Sequence, residues 1–230
     1  MSDRPRLLDL FCGVGGAAWG YYQAGFDVVG VDIEVQKRYP FEFVQADAFD
    51  VMEQWMNNSW DARFQHFDAI HASPPCQAYA DEGHRYRTDH PDLIEPTRDV
   101  LIASGLPWVI ENVDTAPLRN PMMLCGTMFP GVRVIRHRMF ESSFYMEGPP
   151  HRGKHPPVFS YDKRRDRSGL NEWDDYVTVT GGGNCGIDAA RDAMGIRWAT
   201  IRELNQAIPP AYTQYVGKRL LMAVDSRAAA

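Results

Sequence analysis

The chain is poor in cysteine and lysine and has no long apolar run. Its 230 residues include four cysteines, Cys12, Cys76, Cys125 and Cys185, spaced 64, 49 and 60 positions apart. No C-x-x-C pair exists, which excludes a disulfide scaffold and a zinc site built on paired cysteines. His151 and His155 stand close together but have no cysteine near them in the chain, and no metal is expected. No stretch reaches the roughly 18 apolar residues that a membrane-spanning helix needs. Repeats and low-complexity tracts are absent, apart from Ala228–Ala230. Arg4 and Arg6 before an apolar stretch imitate a secretory leader. Asp9 inside that stretch and the glycines behind it do not fit one, so a cytoplasmic location is expected. With 44% hydrophobic and 23% charged residues the composition is that of a soluble globular domain, not a disordered or fibrous chain.

Only 4 of the basic residues are lysine and 20 are arginine. The net charge of −6 is unevenly spread. Residues 1–114 carry 8 basic and 19 acidic groups, or −11, whereas residues 115–230 carry 16 and 11, or +5. Such asymmetry fits a chain whose second half faces a polyanion, and equally fits a solvated mixed surface.

Short apolar runs alternate with helical patterns over the first half. Strands are expected at Arg6–Phe11, Asp27–Asp32, Phe43–Gln45, Phe67–His71 and Trp108–Ile110. Helices are expected at Ala17–Ala24, Phe49–Met56 and Leu93–Ser104. This alternation predicts an α/β fold, a doubly wound and mostly parallel sheet. Residues 142–195 break the pattern, being rich in glycine, proline and charge, with a β-like piece at Tyr176–Thr180. They read as a small lobe or one long excursion. Helix resumes at Thr200–Ala207, and Pro209-Pro210 opens a last helix with Tyr212, Tyr215, Val216, Leu220 and Val224 on its apolar face.

A strand, a glycine turn (Gly13, Gly15, Gly16) and a helix N-terminus suit a nucleoside cofactor, with Asp32 at the end of the second strand placed for ribose hydroxyls. The G-x-G-G spacing favours a mononucleoside over a dinucleotide, and a tight turn without a ligand is the alternative. Cys76 follows two prolines directly after a strand, at the sheet edge where ligands bind. It reads as a thiolate nucleophile or as an inert buried cysteine. Glu111 ends the next strand, so a thiol, a carboxyl group and a cofactor pocket should share one crevice.

These residues carry a resemblance. Asp9-Leu10-Phe11-Cys12-Gly13-Val14-Gly15-Gly16, Ser73-Pro74-Pro75-Cys76-Gln77, Glu111-Asn112-Val113 and Arg136-His137-Arg138 resemble the ordered motifs of the DNA cytosine-5 methyltransferases. Gln206-Ala207-Ile208-Pro209-Pro210 with Gly217 is similar to the family's last motif. The chain looks like a compact, phage-like member with a reduced target-recognition region. The departures are Ile33, where a bulkier residue is frequent, Val134, Tyr79-Ala80 and Gln206.

The resemblance implies a Rossmann-like S-adenosylmethionine-dependent fold, with residues 1–140 and 196–230 forming the catalytic domain and 141–195 a recognition insert. It implies methyl transfer to carbon 5 of a cytosine flipped out of double-stranded DNA. Cys76 would attack carbon 6, Glu111 would act at ring nitrogen 3, Arg138 would contact the base oxygen, and Arg136 would support it and a phosphate. S-adenosylmethionine would lie among Phe11, Gly13, Gly15, Gly16, Asp32, Ile33, Asp47, Ala48, Pro74 and Gln206. Residues 133–167 hold 9 basic and 4 acidic groups. DNA contacts are expected at Gln77, Arg85, Arg87, Arg152, Lys154, Lys163, Arg164, Arg165, Thr180 and Gly182. A monomer is expected. An RNA substrate, or a catalytically silent relative that binds nucleic acid or cofactor, is the alternative.

Overall fold

The apolar runs of the first half become five parallel strands of one sheet. A computed structural model of the chain describes residues 4–76, 79, 91–151, 153–162, 168–180 and 185–229. The strands are β1 (Arg6–Leu10), β2 (Asp27–Asp32), β3 (Glu42–Gln45), β4 (Ala69–Ala72), β5 (Trp108–Asn112), β6 (Met122–Leu124) and β7 (Arg138–Ser142). They lie in the order β3-β2-β1-β4-β5-β7-β6. Strand β7 runs antiparallel to both β5 and β6. The helices are α1 (Gly16–Ala24), α2 (Ala48–Met56), α3 (Ile94–Ser104), α4 (Ile187–Met194), α5 (Ile201–Gln206) and α6 (Pro210–Ala228). A separate parallel pair joins β8 (Val158–Phe159) to β9 (Tyr176–Val177). The doubly wound, mostly parallel sheet is as the sequence predicts. Local features differ, among them the strands β6 and β7, which the sequence pattern does not announce, the start of β4 at Ala69, the run of β5 through Glu111 and Asn112, and helix α4 within the irregular stretch.

Period-two alternation divides the strand residues between two apolar layers. Leu7, Val28, Ala69 and Val109 pack with Ala18 and Tyr21 of α1 and with Tyr212, Val216 and Leu220 of α6. Leu8, Leu10, Val29, Val31, Ile70 and Ile110 pack with Val51 and Met52 of α2 and with Ile94 and Leu101 of α3. Residues 141–195 are not sealed off from this core. Val177, Val179, Cys185, Ala189, Ala190, Ala193 and Met194 belong to the first layer. Helices α1 and α6 approach backbone to backbone. A Cβ at Gly20 would stand 2.1 Å from the Pro210 carbonyl oxygen, and one at Gly217 2.6 Å from the Ala24 Cβ. The Thr213 hydroxyl closes the seam by donating to the Ala17 carbonyl, 2.8 Å away.

Two sets of buried polar groups cross these layers. Arg98 of α3 donates to both Glu141 oxygens, Nε to Oε1 at 2.6 Å and a terminal nitrogen to Oε2 at 2.8 Å. That fork fastens α3 to β7 in a site where an unpaired charge would be costly. In the centre of the sheet, Asp9 and His71 are register partners on β1 and β4. The Tyr39 hydroxyl donates to Asp9 Oδ2 at 3.2 Å, and His71 Nε2 lies 4.0 Å from Oδ1. Burial pushes the Asp9 carboxyl up to about 8 and His71 down to about 3, so both are neutral near pH 7.

These shifts have opposite signs. A carboxyl whose folded-state pKa is raised stabilises the fold most at low pH, and that contribution is lost as pH rises from about 4 through about 8. Neutral His71 weakens the fold only as pH falls below its ordinary 6.5. Between pH 6.5 and 8 the Asp9 contribution therefore stands apart. Urea unfolding of wild type against Asp9→Asn should show wild-type stability declining across that window by up to about 1.4 kcal/mol per pH unit relative to the variant. A constant difference would mean that Asp9 keeps its charge in the fold.

Candidate active site

The segment Ser73–Cys76 leaves β4 at the carboxyl edge of the sheet. Ser73 N–H donates to the Leu10 carbonyl at 3.1 Å, which continues the pairing with β1 for one more residue. Two prolines then stiffen the chain, and the Asn112 side-chain amide donates to the Pro74 carbonyl at 2.8 Å. Asn112 thus clamps the cysteine loop to the end of β5. Cys76 is half-buried. Burial raises its thiol pKa, Glu111 adds to the rise, and Arg138 is the chief opposing influence, with Arg136 a lesser one.

Glu111 is buried on β5, and burial holds its carboxyl above the usual range against the pull of Arg138 and a hydrogen bond from Ser73. Arg138 opens the antiparallel strand β7 and places Nε 3.0 Å from Glu111 Oε1. The contact is not aligned as a hydrogen bond, so Oε1 lacks a hydrogen-bond partner among the described residues. A buried acceptor without a donor is costly, and a ligand that supplied a donor would relieve it. The Ser73 hydroxyl also meets His71 Nε2 at 2.9 Å, and His71 Nδ1 meets the Tyr21 hydroxyl at 2.9 Å. A buried polar strip therefore runs from Tyr21 through His71 and Ser73 to Glu111. Tyr21 and His71 are singled out by no motif, because they matter only through the packing of α1 on the sheet and the register of β1, β4 and β5.

Arg136 is placed otherwise than expected. Its guanidinium is buried, and its terminal nitrogens donate to the carbonyls of Leu204 (3.1 Å), Val179 (2.7 Å) and Asn205 (2.7 Å), and to that of Ala207. Burial and the charge of Arg138 lower its pKa to about 9, which leaves it charged at neutral pH. With both terminal nitrogens taken by backbone, Arg136 joins β7 to the C-terminal segment, and its terminal N–H groups are spent before the phosphate contact expected of it.

The glycine turn sorts into two kinds of glycine. Gly13, at φ +50°, has open space where a Cβ would stand, with nothing within 4 Å. Its N–H donates to Asp32 Oδ2 at 2.9 Å, while Asp32 Oδ1 accepts from Glu34 N–H at 2.9 Å. Each carboxylate oxygen keeps a lone pair for a hydroxyl donor. The space before Gly13 and the acceptors of Asp32 fit a ribose. Gly15 and Gly16, expected to let a ligand approach, instead admit protein. A Cβ on Gly15 would lie 2.7 Å from Pro40, and one on Gly16 2.5 Å from the Ile208 carbonyl oxygen.

The other expected cofactor residues ring the same strand ends. Phe11 turns the chain out of β1 at φ +56° and meets Phe49 edge-on at 6.1 Å. Ile33 is 67% exposed immediately after β2, bare enough to cover a flat ligand. Asp47 caps α2, its Oδ1 accepting from Phe49 and Asp50 N–H, with Ala48 buried behind it. Pro74 is buried, and Gln206 ends α5 exposed. Lys154 and Thr180 are exposed. Gln77, Arg85, Arg87, Arg152, Lys163, Arg164, Arg165 and Gly182 lie outside the described residues.

The cysteines separate by environment. Burial and the nearby Asp9 drive Cys12 far above the ordinary thiol range, so it stays protonated. Cys125, distant from every histidine in the chain, is not distant in space. Its Sγ and the ring nitrogens of His137, His151 and His155 lie within 4.8 Å of one another. The statement that His151 and His155 lack a cysteine neighbour holds along the chain and fails in the fold.

Residues 5–101 match the model of the C-5 cytosine-specific DNA methylases. No curated protein matches the chain. Among solved structures it is similar to a protein described as a DNA modification methyltransferase encoded within an E. coli prophage (15% identity, TM-score 0.57). It is also similar to the Entamoeba histolytica methyltransferase EhMeth (13%, 0.62) and the S. pombe Dnmt2 methyltransferase (15%, 0.57). Each alignment covers 96% of this chain and 99% of the other. At these identities the likeness establishes the fold alone, a Rossmann-like, mostly parallel sheet flanked by helices. The family match covers the glycine turn and Cys76 and stops short of Glu111 and Arg138. That family implies an S-adenosylmethionine-type cofactor. No helix among the described residues is long and apolar enough to cross a membrane.

If Asp32 takes ribose hydroxyls, Asp32→Ala should weaken S-adenosylmethionine binding by about 1–3 kcal/mol, the loss of a charged acceptor from a hydrogen-bonded pair. Titration calorimetry would report it. Unchanged affinity in a variant of unchanged melting temperature would remove Asp32 from the site.

Proposed function

We propose that this chain transfers a methyl group to carbon 5 of cytosine in double-stranded DNA, by way of a covalent adduct between Cys76 and carbon 6. The observation that carries the reading is the meeting of Cys76, Glu111 and Arg138 beyond the ends of three neighbouring strands, with Glu111 Oε1 buried and lacking a hydrogen-bond partner among the described residues. Cytosine presents, on one edge, a ring nitrogen that takes a proton and a carbonyl oxygen that accepts a hydrogen bond. A carboxyl whose hold on its proton burial strengthens and a guanidinium beside it are complementary to that edge.

In this mechanism the Cys76 thiol first loses its proton, a step that Arg138 favours and burial opposes. The sulfur then bonds to carbon 6 while Glu111 gives a proton to nitrogen 3, so that the electron pair of the 5,6 double bond becomes available at carbon 5. S-adenosylmethionine, when bound, supplies the electrophilic methyl that carbon 5 takes up. Loss of the carbon 5 proton to a base, return of the nitrogen 3 proton to Glu111 and departure of the thiolate restore the aromatic ring. Asn112 fixes the height of the cysteine loop through the Pro74 carbonyl, which sets the sulfur's approach. The base must leave the helical stack to be reached on its face. The net positive charge of residues 133–167 supplies attraction for phosphates.

Duplex DNA containing 5-fluorocytosine tests the covalent step, because fluorine at carbon 5 cannot leave as a proton does and the adduct persists. With S-adenosylmethionine, the wild type should form a complex that survives denaturing electrophoresis. Cys76→Ala should form none, lose turnover, and still bind cofactor in calorimetry. Methyl transfer by Cys76→Ala would refute the mechanism, and an adduct formed on RNA but not on DNA would reassign the substrate.

A further inference from the structure

A second constellation lies beside β7, apart from Cys76 and Glu111. Strands β6 and β7 pair antiparallel with Leu124 opposite Arg138, so Cys125 and His137 are the next residues beyond that pair. The loop after β7 brings His151 and His155 over the same corner. His155 Nε2 lies 3.0 Å from His151 Nε2, 3.3 Å from His137 Nε2 and 3.6 Å from Cys125 Sγ.

Hydrogen bonding cannot account for this convergence. A neutral imidazole nitrogen carries either one proton or one lone pair, in the ring plane. His155 Nε2 can satisfy one neighbour and faces three. Nor are the rings stacked, since their planes cross at 49° to 81°. If the imidazoles were protonated, they would repel one another at these separations.

A tetrahedral metal does account for it. With metal–nitrogen bonds of about 2.0–2.1 Å and a metal–sulfur bond of about 2.3 Å, tetrahedral edges come to roughly 3.3 Å between nitrogens and roughly 3.6 Å between nitrogen and sulfur. The three contacts of His155 have these lengths to within about 0.3 Å. We propose that Cys125, His137, His151 and His155 bind one zinc ion in a closed, structural site. One thiolate with three imidazoles suits zinc among the common divalent ions, and four protein ligands leave no position open for catalysis. The Thr127 hydroxyl, 3.3 Å from Cys125 Sγ, is positioned to donate to the thiolate and support it. Binding releases one proton, from the Cys125 thiol, and takes the histidines neutral.

The site has a consequence for its surroundings. His137 stands between Arg136, which holds the C-terminal segment, and Arg138, which meets Glu111. The His137 carbonyl itself accepts from Arg138 at 2.8 Å. Zinc would pin the 151–155 loop to the start of β7 and fix the backbone from which Arg138 projects.

The test is metal analysis of full-length, tag-free protein, made in zinc-supplemented medium and purified without chelator. Plasma mass spectrometry should find one zinc per chain. Cobalt substituted for zinc should give intense tetrahedral d–d bands and a thiolate-to-cobalt charge-transfer band. Cys125→Ser should lose the charge-transfer band, and His155→Ala should lose the metal. Stripping zinc should lower the melting temperature, and adding it back should restore it. Wild-type protein that holds no zinc and gives no cobalt charge-transfer band would overturn the proposal, whatever the variants do. Stoichiometric copper or iron in place of zinc would overturn the zinc assignment. None of these readouts depends on methyl transfer.

Discussion

Glu111 lies on the fifth strand with its carboxyl group out of water, and Arg138 approaches it from an antiparallel neighbour. That pair constrains much of the molecule. A buried carboxyl and a guanidinium meet at 3.0 Å only if β5 and β7 hold their register. Register in turn depends on the apolar layers on each side and on the Arg98–Glu141 fork at the far end of β7. The misaligned contact leaves Oε1 without a hydrogen-bond partner among the described residues, a cost that a ligand bearing a donor would relieve.

Neutral and charged groups are kept apart in the sheet. Asp9 and His71 are neutral in the interior, and His71 reaches Glu111 by way of the Ser73 hydroxyl. Arg136 keeps its charge at neutral pH, and of the two arginines Arg138 is the one that meets the Glu111 carboxyl. Arg136 spends its donors on the carbonyls of residues 179, 204, 205 and 207, and so closes the C-terminal segment onto the catalytic strand. In this arrangement one arginine of the Arg-x-Arg motif meets Glu111 and the other holds the C-terminal segment.

Much of this was legible in the sequence where local pattern governs. Leu7, Leu8 and Leu10, and Val28, Val29 and Val31, form the near-continuous apolar runs of strands buried on both faces, and a parallel sheet brings the ends of β4 and β5, hence Cys76 and Glu111, to one edge. What was not legible depends on distant chain segments. Gly15 and Gly16 look like Gly13 in the sequence, and only Pro40 and the Ile208 carbonyl distinguish them. Asn112 reads as a motif letter, and its bond to the Pro74 carbonyl spans 38 positions. Cys125 and His155 are 30 positions apart, so ligand spacing along the chain gave no sign of their contact. Helix α4 was hidden by its short alanine-rich face within a stretch of glycine, proline and charge.

The central claim is that cytosine in DNA is the base methylated, and nucleoside mass spectrometry tests it most directly. Plasmid DNA and total RNA would be digested from a host that lacks its own cytosine-5 methylation and expresses either the wild type or Glu111→Ala. The account predicts 5-methyl-2′-deoxycytidine in plasmid DNA from wild-type cells and none from the variant. Plasmid DNA without the modified deoxynucleoside, alongside soluble and folded wild-type protein that binds S-adenosylmethionine, would contradict it.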